Sequence, residues 1–215
     1  MWAIVGTAGR KDDAPLMSKE LFYKAVTRMW ELMEEWKINS LVSGGAAWMD
    51  HIMIEMLLNP IKNEVQIGDN IRFLYVPSAA TIHLPCRIDS KGLFNAKFPE
   101  GDRWYCKAWE ARTANYYHEI FSKKVYGNPK RSRQMILEAV ALGLEPMSGR
   151  LVTVRSGGGF MGRNGEIAND ADEGLIAFTF SDTGAPKDGG TMNTWREHFK
   201  IHPSATRINI DLGSL

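Results

Sequence analysis

Short apolar segments that end in glycine-rich turns constrain this chain more than any other sequence feature. Residues 2–5, 40–43 and 174–180 each have the composition of a buried strand, and helical segments lie between such strands. Strands that alternate with helices favour a parallel sheet, because a parallel connection needs a crossover. The sequence therefore predicts an α/β fold, a Rossmann-like and mainly parallel sheet with helices on both faces.

The other elements follow from the same periodicities. Ser18 is a candidate N-cap for a long first helix. A helix is also predicted over 132–142, with Gly143 as the residue that ends it. Further strands are expected at 71–76, 151–154 and 206–210, and an aromatic-rich helix at about 104–123. Residues 78–130 fit no simple β-α unit, so we expect a single domain over 1–215 with an insertion at about 78–130.

Composition excludes several classes of protein. Of the 215 residues, 44% are hydrophobic and 24% charged, which is typical of a folded domain. The net charge of +1 disfavours general binding to nucleic acid. No apolar run reaches about 18 residues and no signal peptide is recognisable, so a cytoplasmic protein without a membrane span is expected. Cys86 and Cys106 are too few for a disulfide framework, and both are expected to be reduced thiols.

Four glycine or small-residue loops follow predicted strands, at 6–10, 43–50, 157–164 and 188–194. Free backbone amides at the helix starts that follow them favour an anion, above all a phosphate. The P-loop pattern G-x-x-x-x-G-K-[ST] does not occur, and neither a P-loop nor a standard dinucleotide site is expected. The predicted ligand-binding residues are Gly6, Thr7, Gly9, Arg10, Ser43, Gly44, Gly45, Arg163, Asn164, Gly189, Gly190, Thr191, Asn193 and Thr194.

The order of these motifs resembles the SLOG superfamily, which groups the DNA-processing protein DprA, the Lonely-guy phosphoribohydrolases and YpsA-like proteins. Residues 43–50 are similar to its S-G-G-A-x-x-x-D turn, and residues 6–10 stand where members carry a G-[ST]-R-type loop. Residues 163–178 resemble an R-N…aD-x-l-I-a-F stretch of YpsA-like members, and residues 189–195 a C-terminal G-G-T turn. The resemblance covers about 1–60 and 150–215, and it implies a Rossmann-like nucleotide-binding fold.

The last motif separates binding from catalysis. In the phosphoribohydrolases it is P-G-G-x-G-T-x-x-E, and its Glu assists cleavage of the N-glycosidic bond. Asn193 or Thr194 stands in that place here, and the preceding Pro is missing. The resemblance therefore implies, first, a protein that binds or senses a nucleotide or nucleotide-derived ligand. The alternatives are a nucleoside-monophosphate N-glycosidase or (deoxy)ribosyltransferase, and single-stranded nucleic-acid binding as in DprA.

Several residues allow both a functional and a structural interpretation. Arg10 is either a phosphate clamp or a solvated surface residue. Asp50 is either a helix cap or a partner of a ribose hydroxyl, and it is the first candidate acid of an enzyme, with Glu166 as the second. The aromatic residues of 104–121 are either core or a stacking wall over a base. A structural or surface role is expected for His118.

Cofactors and metals are not expected. The five histidines have no metal-ligand spacing. The predicted partners are a nucleotide or nucleotide-derived small molecule and, because Trp, Met and Tyr are plentiful, a second copy in a homodimer.

Overall fold

The computed structural model describes residues 1–59, 64–67, 70–73, 77–97, 99–100, 105–144, 151–156 and 158–215. Strands and helices alternate along most of this length. In chain order the elements are β1 (Trp2–Gly6), α1 (Lys19–Trp36), β2 (Ser40–Ser43), α2 (Ile52–Leu58), β3 (Glu64–Ile67), β4 (Asn70–Phe73), β5 (Ala79–Leu84), β6 (Arg87–Ile88), β7 (Phe94–Asn95), α3 (Ala108–Tyr126), α4 (Arg131–Leu144), β8 (Leu151–Ser156), α5 (Gly159–Asp170), β9 (Gly174–Thr179), α6 (Gly189–Ile201) and β10 (Thr206–Asp211).

The central sheet has the strand order β10-β9-β1-β2-β5-β8, and all its neighbouring strands are parallel. In the register of the centre, Trp2 lies opposite Leu41 on one side and Gly174 on the other. The chain moves outward from β1 through β2, β5 and β8, then returns to the other side of β1 with β9 and β10. The predicted α/β class, with a parallel sheet and helices on both faces, is confirmed.

Successive residues of β1 point to opposite faces of the sheet and divide the core into two layers. Trp2 and Ile4 belong to the larger layer, which also contains the buried sides of α1, α2, α3 and α4. Ala3 and Val5 belong to the smaller layer, with Ile167 of α5. Because this smaller layer contains α5 and packs against Trp195 of α6, the helices that follow β8 and β9 cover the second face of the sheet.

The first helix forms where the sequence predicts it. Ser18 accepts a hydrogen bond from Leu21 N at 3.0 Å, which satisfies a free amide of the first turn. Its buried residues Phe22, Met29 and Met33 recur at helical spacing. The helix ends where Lys37 takes the left-handed conformation.

The middle of the chain differs from the prediction. The third parallel strand is β5, whereas the strand predicted at 71–76 pairs as β4 in an antiparallel hairpin, with 74–76 outside the described residues. The segment assigned to an insertion therefore begins with a strand of the central sheet. Gly143 lies inside α4 rather than after it, and a Cβ there would lie 2.5 Å from Val152 Cβ. Close packing on β8, not helix termination, explains this glycine.

The two cysteines correct a second expectation. Cys86, just after β5, and Cys106, just before α3, form a disulfide with their Cα atoms 5.5 Å apart. The fold brings together two positions 20 residues apart within the separation that a disulfide requires. Both residues are buried. The bond therefore ties the segment before α3 to the central sheet.

Candidate functional site

The direction in which the chain leaves the sheet changes between β1 and β9. Connections from β1 continue toward β2, whereas β9 continues toward β10, so the loops after β1 and β9 separate at their carboxyl ends. Such a switch point leaves a crevice in open α/β sheets. Here it holds a cavity of about 820 Å³. Its walls come from the β1 loop, the turn after β2, the start of α3, α5 and the first turn of α6.

Hydrogen bonds within the β1 loop and to β9 fix the conformation of this loop. Thr7 N donates to Phe178 O at 3.0 Å, and Gly9 N donates to Thr7 Oγ1 at 3.1 Å. Gly9 has a φ of +65°, and a Cβ there would lie 2.7 Å from Trp48 Nε1. Gly9 thus shapes the loop without lining the cavity.

Arg10 follows this loop and lies over two aromatic rings. Its Cζ is 4.8 Å from the ring centre of Tyr117 and 5.4 Å from that of Phe160. Cation–π contact of this kind orients a guanidinium that water would otherwise leave mobile. Arg10 lines the cavity, so its charge is held at the wall.

Asp50 lies in the short helical turn Trp48–His51 after β2 and lines the cavity although it is buried. Its Oδ1 accepts a hydrogen bond from Gly6 N at 3.0 Å. Ser43 does not line the cavity but donates from Oγ to Ile4 O at 2.7 Å and to Asp50 O at 3.0 Å, which fixes the turn. Burial raises the pKa of the Asp50 carboxyl, and the nearby charge of Arg163 opposes this rise.

Arg163 is the most buried cation of the cavity wall, with 9% of its surface exposed. Its Nη2 donates to Asn164 Oδ1 at 3.0 Å, but its buried Nη1 has no hydrogen-bond partner. Burial lowers the pKa of the guanidinium and Asp50 raises it, and an arginine keeps its proton in either case. Gly44 permits this arrangement, because a Cβ there would lie 2.5 Å from Asp50 Oδ2 and 3.1 Å from Arg163 Cζ.

The first turn of α6 closes the cavity on the opposite side. Asp188, its N-cap residue, makes no capping hydrogen bond with its side chain. Thr191 Oγ1 donates to Gly6 O at 2.8 Å, which joins α6 to the end of β1. Asn164 Nδ2 donates to Gly190 O at 3.3 Å and thereby links α5 to α6. The amides at the start of α6 therefore lie near Asn164, the residue after Arg163, and need a partner from outside the helix.

Glu110 of α3 joins the aromatic helix to α5. Its Oε2 accepts from Lys107 N at 2.8 Å, and its Oε1 accepts from Phe160 N at 2.7 Å. Gly158 N also donates to Tyr105 O at 3.0 Å. Only a glycine fits at 159, because a Cβ there would lie 2.2 Å from Glu110 Oε1. One buried carboxylate thus serves the first turns of two helices, and Arg163 follows on α5 one turn later.

Two histidines beside the cavity are buried, and His118 is also part of its lining. His118 Nε2 lies 3.1 Å from Gly45 O and its Nδ1 lies 3.0 Å from Ser132 Oγ. Burial lowers the pKa of His118 to about 3, so the ring is neutral. His51 packs against Phe121 with ring centres 5.1 Å apart, and neither of its ring nitrogens has a partner. The structural role expected for His118 agrees with these contacts.

The structure brings together most of the residues that the sequence predicts for ligand binding, but not all. Gly9, Ser43 and Gly44 support the site from outside the cavity lining, and Glu166 is exposed on α5. Asn193 lies beside a shallower depression and is 3.4 Å from Asn164 through their side-chain amides. The predicted residues that line the cavity are Gly6, Thr7, Arg10, Gly45, Asp50, Arg163, Asn164, Gly189, Gly190, Thr191 and Thr194.

Among the wall residues to which the sequence prediction gives no role, two make contacts that join parts of the wall. Glu110 joins the helix starts, and Phe160 contacts both Arg10 and Trp109. Arg163 and Asn164 were predicted in a loop, yet α5 begins at Gly159 and places both in a helix. A Glu three residues after the N-cap is a known capping signal, and Glu110 stands at that position. The signal is hard to recognise in the sequence because the N-cap residue, Lys107, is not a typical one.

The described part of the chain has neither a metal-binding cluster nor a membrane-spanning helix. Within it, no group of three or more His, Cys, Asp or Glu side chains is arranged to hold a metal ion. None of the helices in that part combines the length and the apolar character needed to cross a bilayer.

Comparison with known proteins gives one informative result. No family model matches the chain, and no solved structure matches it significantly. "Uncharacterized protein R261" of Acanthamoeba polyphaga mimivirus is 30% identical over 217 residues, which cover 98% of this chain and 96% of the viral protein. The alignment therefore spans nearly the full length of both chains. The chain belongs to the same protein family as this mimivirus protein.

Proposed function

We propose that this protein binds a nucleotide or nucleotide-derived ligand in the cavity at the ends of β1 and β9. The ligand's phosphate lies between Arg163 and the first turn of α6. The observation that carries the proposal is the guanidinium of Arg163, which is buried in the cavity wall and whose Nη1 has no hydrogen-bond partner among the described residues. An unpaired buried donor on a charged group is unfavourable by about 1–3 kcal/mol or more, and an anionic ligand removes that penalty.

The helix starts around Arg163 support a phosphate at this position. Gly189, Gly190 and Thr191 open α6 at the cavity, and their cap residue makes no side-chain hydrogen bond. The position at a switch point of a parallel sheet is where such folds bind their ligands. A phosphate there accepts from Arg163 and from backbone amides at once.

Aromatic side chains near Arg163 support a planar group, since Arg163 Cζ lies 5.6 Å from the ring centre of Phe160. Trp109, Tyr117 and Phe160 line the cavity, and the rings of Trp109 and Phe160 lie 5.7 Å apart. Stacking of a base on an aromatic side chain contributes about 1–3 kcal/mol in single-strand binders. A ligand that carries both a phosphate and a base matches this combination of a buried guanidinium and aromatic rings.

Thermal shift and calorimetry against a panel of nucleotides, with inorganic phosphate and ribose 5-phosphate included, test the proposal. A bound ligand at 100 times its Kd stabilises the fold by about 2.7 kcal/mol. We expect Arg163→Ala to weaken binding at least tenfold and Arg28→Ala, on the outer side of α1, to leave it unchanged. Absence of binding by every compound, or equal affinity in Arg163→Ala, would refute the proposal.

Asp50 favours a second candidate, cleavage of an N-glycosidic bond in a nucleoside monophosphate. Its carboxyl is buried in the cavity wall and has a raised pKa, as a general acid requires. The compounds that bind are then assayed for release of free base by chromatography. Turnover that is lost in Asp50→Asn and kept in Glu166→Gln would establish the enzyme. Binding without release leaves the binding protein as the function.

A further inference from the structure

The outer face of α3 carries large apolar side chains in water. Trp109 is 50% exposed, Tyr116 61% and Ile120 39%. Residues at i, i+7 and i+11 follow one stripe of a helix. The buried residues of α3, among them Ala114, His118 and Phe121, lie on the opposite face. The stripe therefore faces away from the core and is largely open to solvent, although Trp109 contacts Phe160 at its cavity end.

Charged residues flank this stripe on one side. Arg112 and Glu119 are seven positions apart, so they lie on the same flank of the helix, and both are exposed. Neither forms an ion pair with another described residue. Lys123, near the end of the helix, is exposed as well.

The spacing of these groups is self-complementary. In an antiparallel pair of identical helices, facing positions are symmetric about a twofold axis, and the same flank of each copy meets. Arg112 and Glu119 are symmetric about a point between 115 and 116, and Trp109 and Lys123 are symmetric about 116. One axis near Tyr116 thus places Arg112 opposite Glu119 and Trp109 opposite Lys123, twice each.

We propose that a second copy of this chain docks antiparallel on the outer face of α3 and forms a twofold homodimer. Arg112 pairs with Glu119 of the other copy, Lys123 lies over the ring of Trp109, and the two Tyr116 rings meet at the axis. Trp109 also lines the cavity, so the partner covers one rim of it. The inference is independent of the proposed ligand.

Sedimentation and light scattering on the whole chain test this pairing by charge reversal. We expect a dimer for the wild type, monomers for Arg112→Glu and for Glu119→Arg, and a restored dimer for the double variant R112E/E119R. Both substituted residues are on the surface, and circular dichroism checks the fold of each variant. A wild-type monomer at every concentration, a dimer that survives Arg112→Glu, or a double variant that stays monomeric would overturn the proposal.

Cross-linking locates the axis in the same molecule. Tyr116→Cys is expected to form an intermolecular disulfide on mild oxidation. Phe199→Cys is the matched control, because Phe199 is an aromatic residue of α6 with 55% exposure and lies on another helix. Cross-linking of Phe199→Cys as fast as Tyr116→Cys would show random collision and contradict the axis.

Discussion

The absence of a Cβ atom at residue 44 lets the carboxylate of Asp50 and the guanidinium of Arg163 approach the same point of the cavity wall. Gly44 has no side chain, and the Asp50 carboxylate and the Arg163 guanidinium fill the space that a Cβ would take. Each charge moderates the pKa shift that burial imposes on the other. A buried charge without a nearby opposite charge is strongly unfavourable. The carboxylate of Asp50 therefore helps to keep the Arg163 cation buried in the cavity wall.

His51 and His118 make the stability of the fold sensitive to acid. Burial lowers the pKa of both rings, so the folded state binds fewer protons than the unfolded state once the pH falls below about 6.5. Stability is then present above that pH and is lost as the pH falls, and for His118 the loss continues toward a pH of about 3. Each group contributes about 1.4 kcal/mol per pH unit within its window.

We expect His51→Leu to remove one of these contributions. The free energy of unfolding should fall less steeply between pH 6.5 and pH 5, by about 1.4 kcal/mol per unit. At pH 8 the variant should be at least as stable as the wild type, because the two unpartnered ring nitrogens are gone. Urea titrations across this pH range measure both effects. An unchanged pH slope would contradict the assignment.

At the scale of elements, Glu110 links the start of α3 to the start of α5. Glu110→Ala leaves the amides of Lys107 and Phe160 without their acceptor. We expect a loss of about 2 kcal/mol in the free energy of unfolding, since a lost cap is unfavourable by about 0.5–2 kcal/mol. Chemical denaturation measures it.

Two further variants serve as the comparison and the control for Glu110→Ala. Glu110→Gln keeps one acceptor oxygen and should lose less stability than Glu110→Ala. Glu166→Ala, an exposed position on α5, should change stability by less than about 0.5 kcal/mol. An effect of Glu110→Ala as small as that of the control would mean that the shared carboxylate does not hold the two helices.

The elements that the sequence predicts best are those with a complete local signal. β2 matches its prediction, and α1 begins at the predicted Ser18 cap. The helical position of Arg163 was missed because Gly158 and Gly159, both with positive φ, resemble a loop while they start a helix. β5 was missed because it contains Ala79, Ala80 and polar residues, and only its neighbours β2 and β8 define it.

The residues of the candidate site also fall into those with a local sequence pattern and those without one. Its glycine turns and Arg163 carry local patterns, so the sequence could place them. Glu110 acts across 50 residues on Phe160, and no local pattern encodes that distance. The fold class followed from alternation alone, whereas the cavity wall depends on how α3 meets α5.

At the scale of the whole molecule, the Cys86–Cys106 disulfide connects the aromatic helix region with the central sheet. A loop of about 20 residues closed by a disulfide stabilises a fold by roughly 3 kcal/mol through the unfolded state. We therefore expect the urea midpoint of the native protein to be higher than that of the Cys86→Ala/Cys106→Ala variant. Full reduction of the unfolded chain before refolding should lower the midpoint of the wild type in the same way.

Burial predicts a kinetic difference as well. Cys86 is inaccessible and Cys106 nearly so, with 0% and 2% exposure, and a thiolate must reach one of the sulfurs to break the bond. Dithiothreitol should thus reduce the folded protein far more slowly than the protein in urea, which alkylation and mass spectrometry resolve. Equal midpoints with and without the bond would remove its stabilising role. Rapid reduction in the folded state would mean that the segment before α3 opens readily, and the wall that carries Tyr105 and Lys107 would then be a movable one.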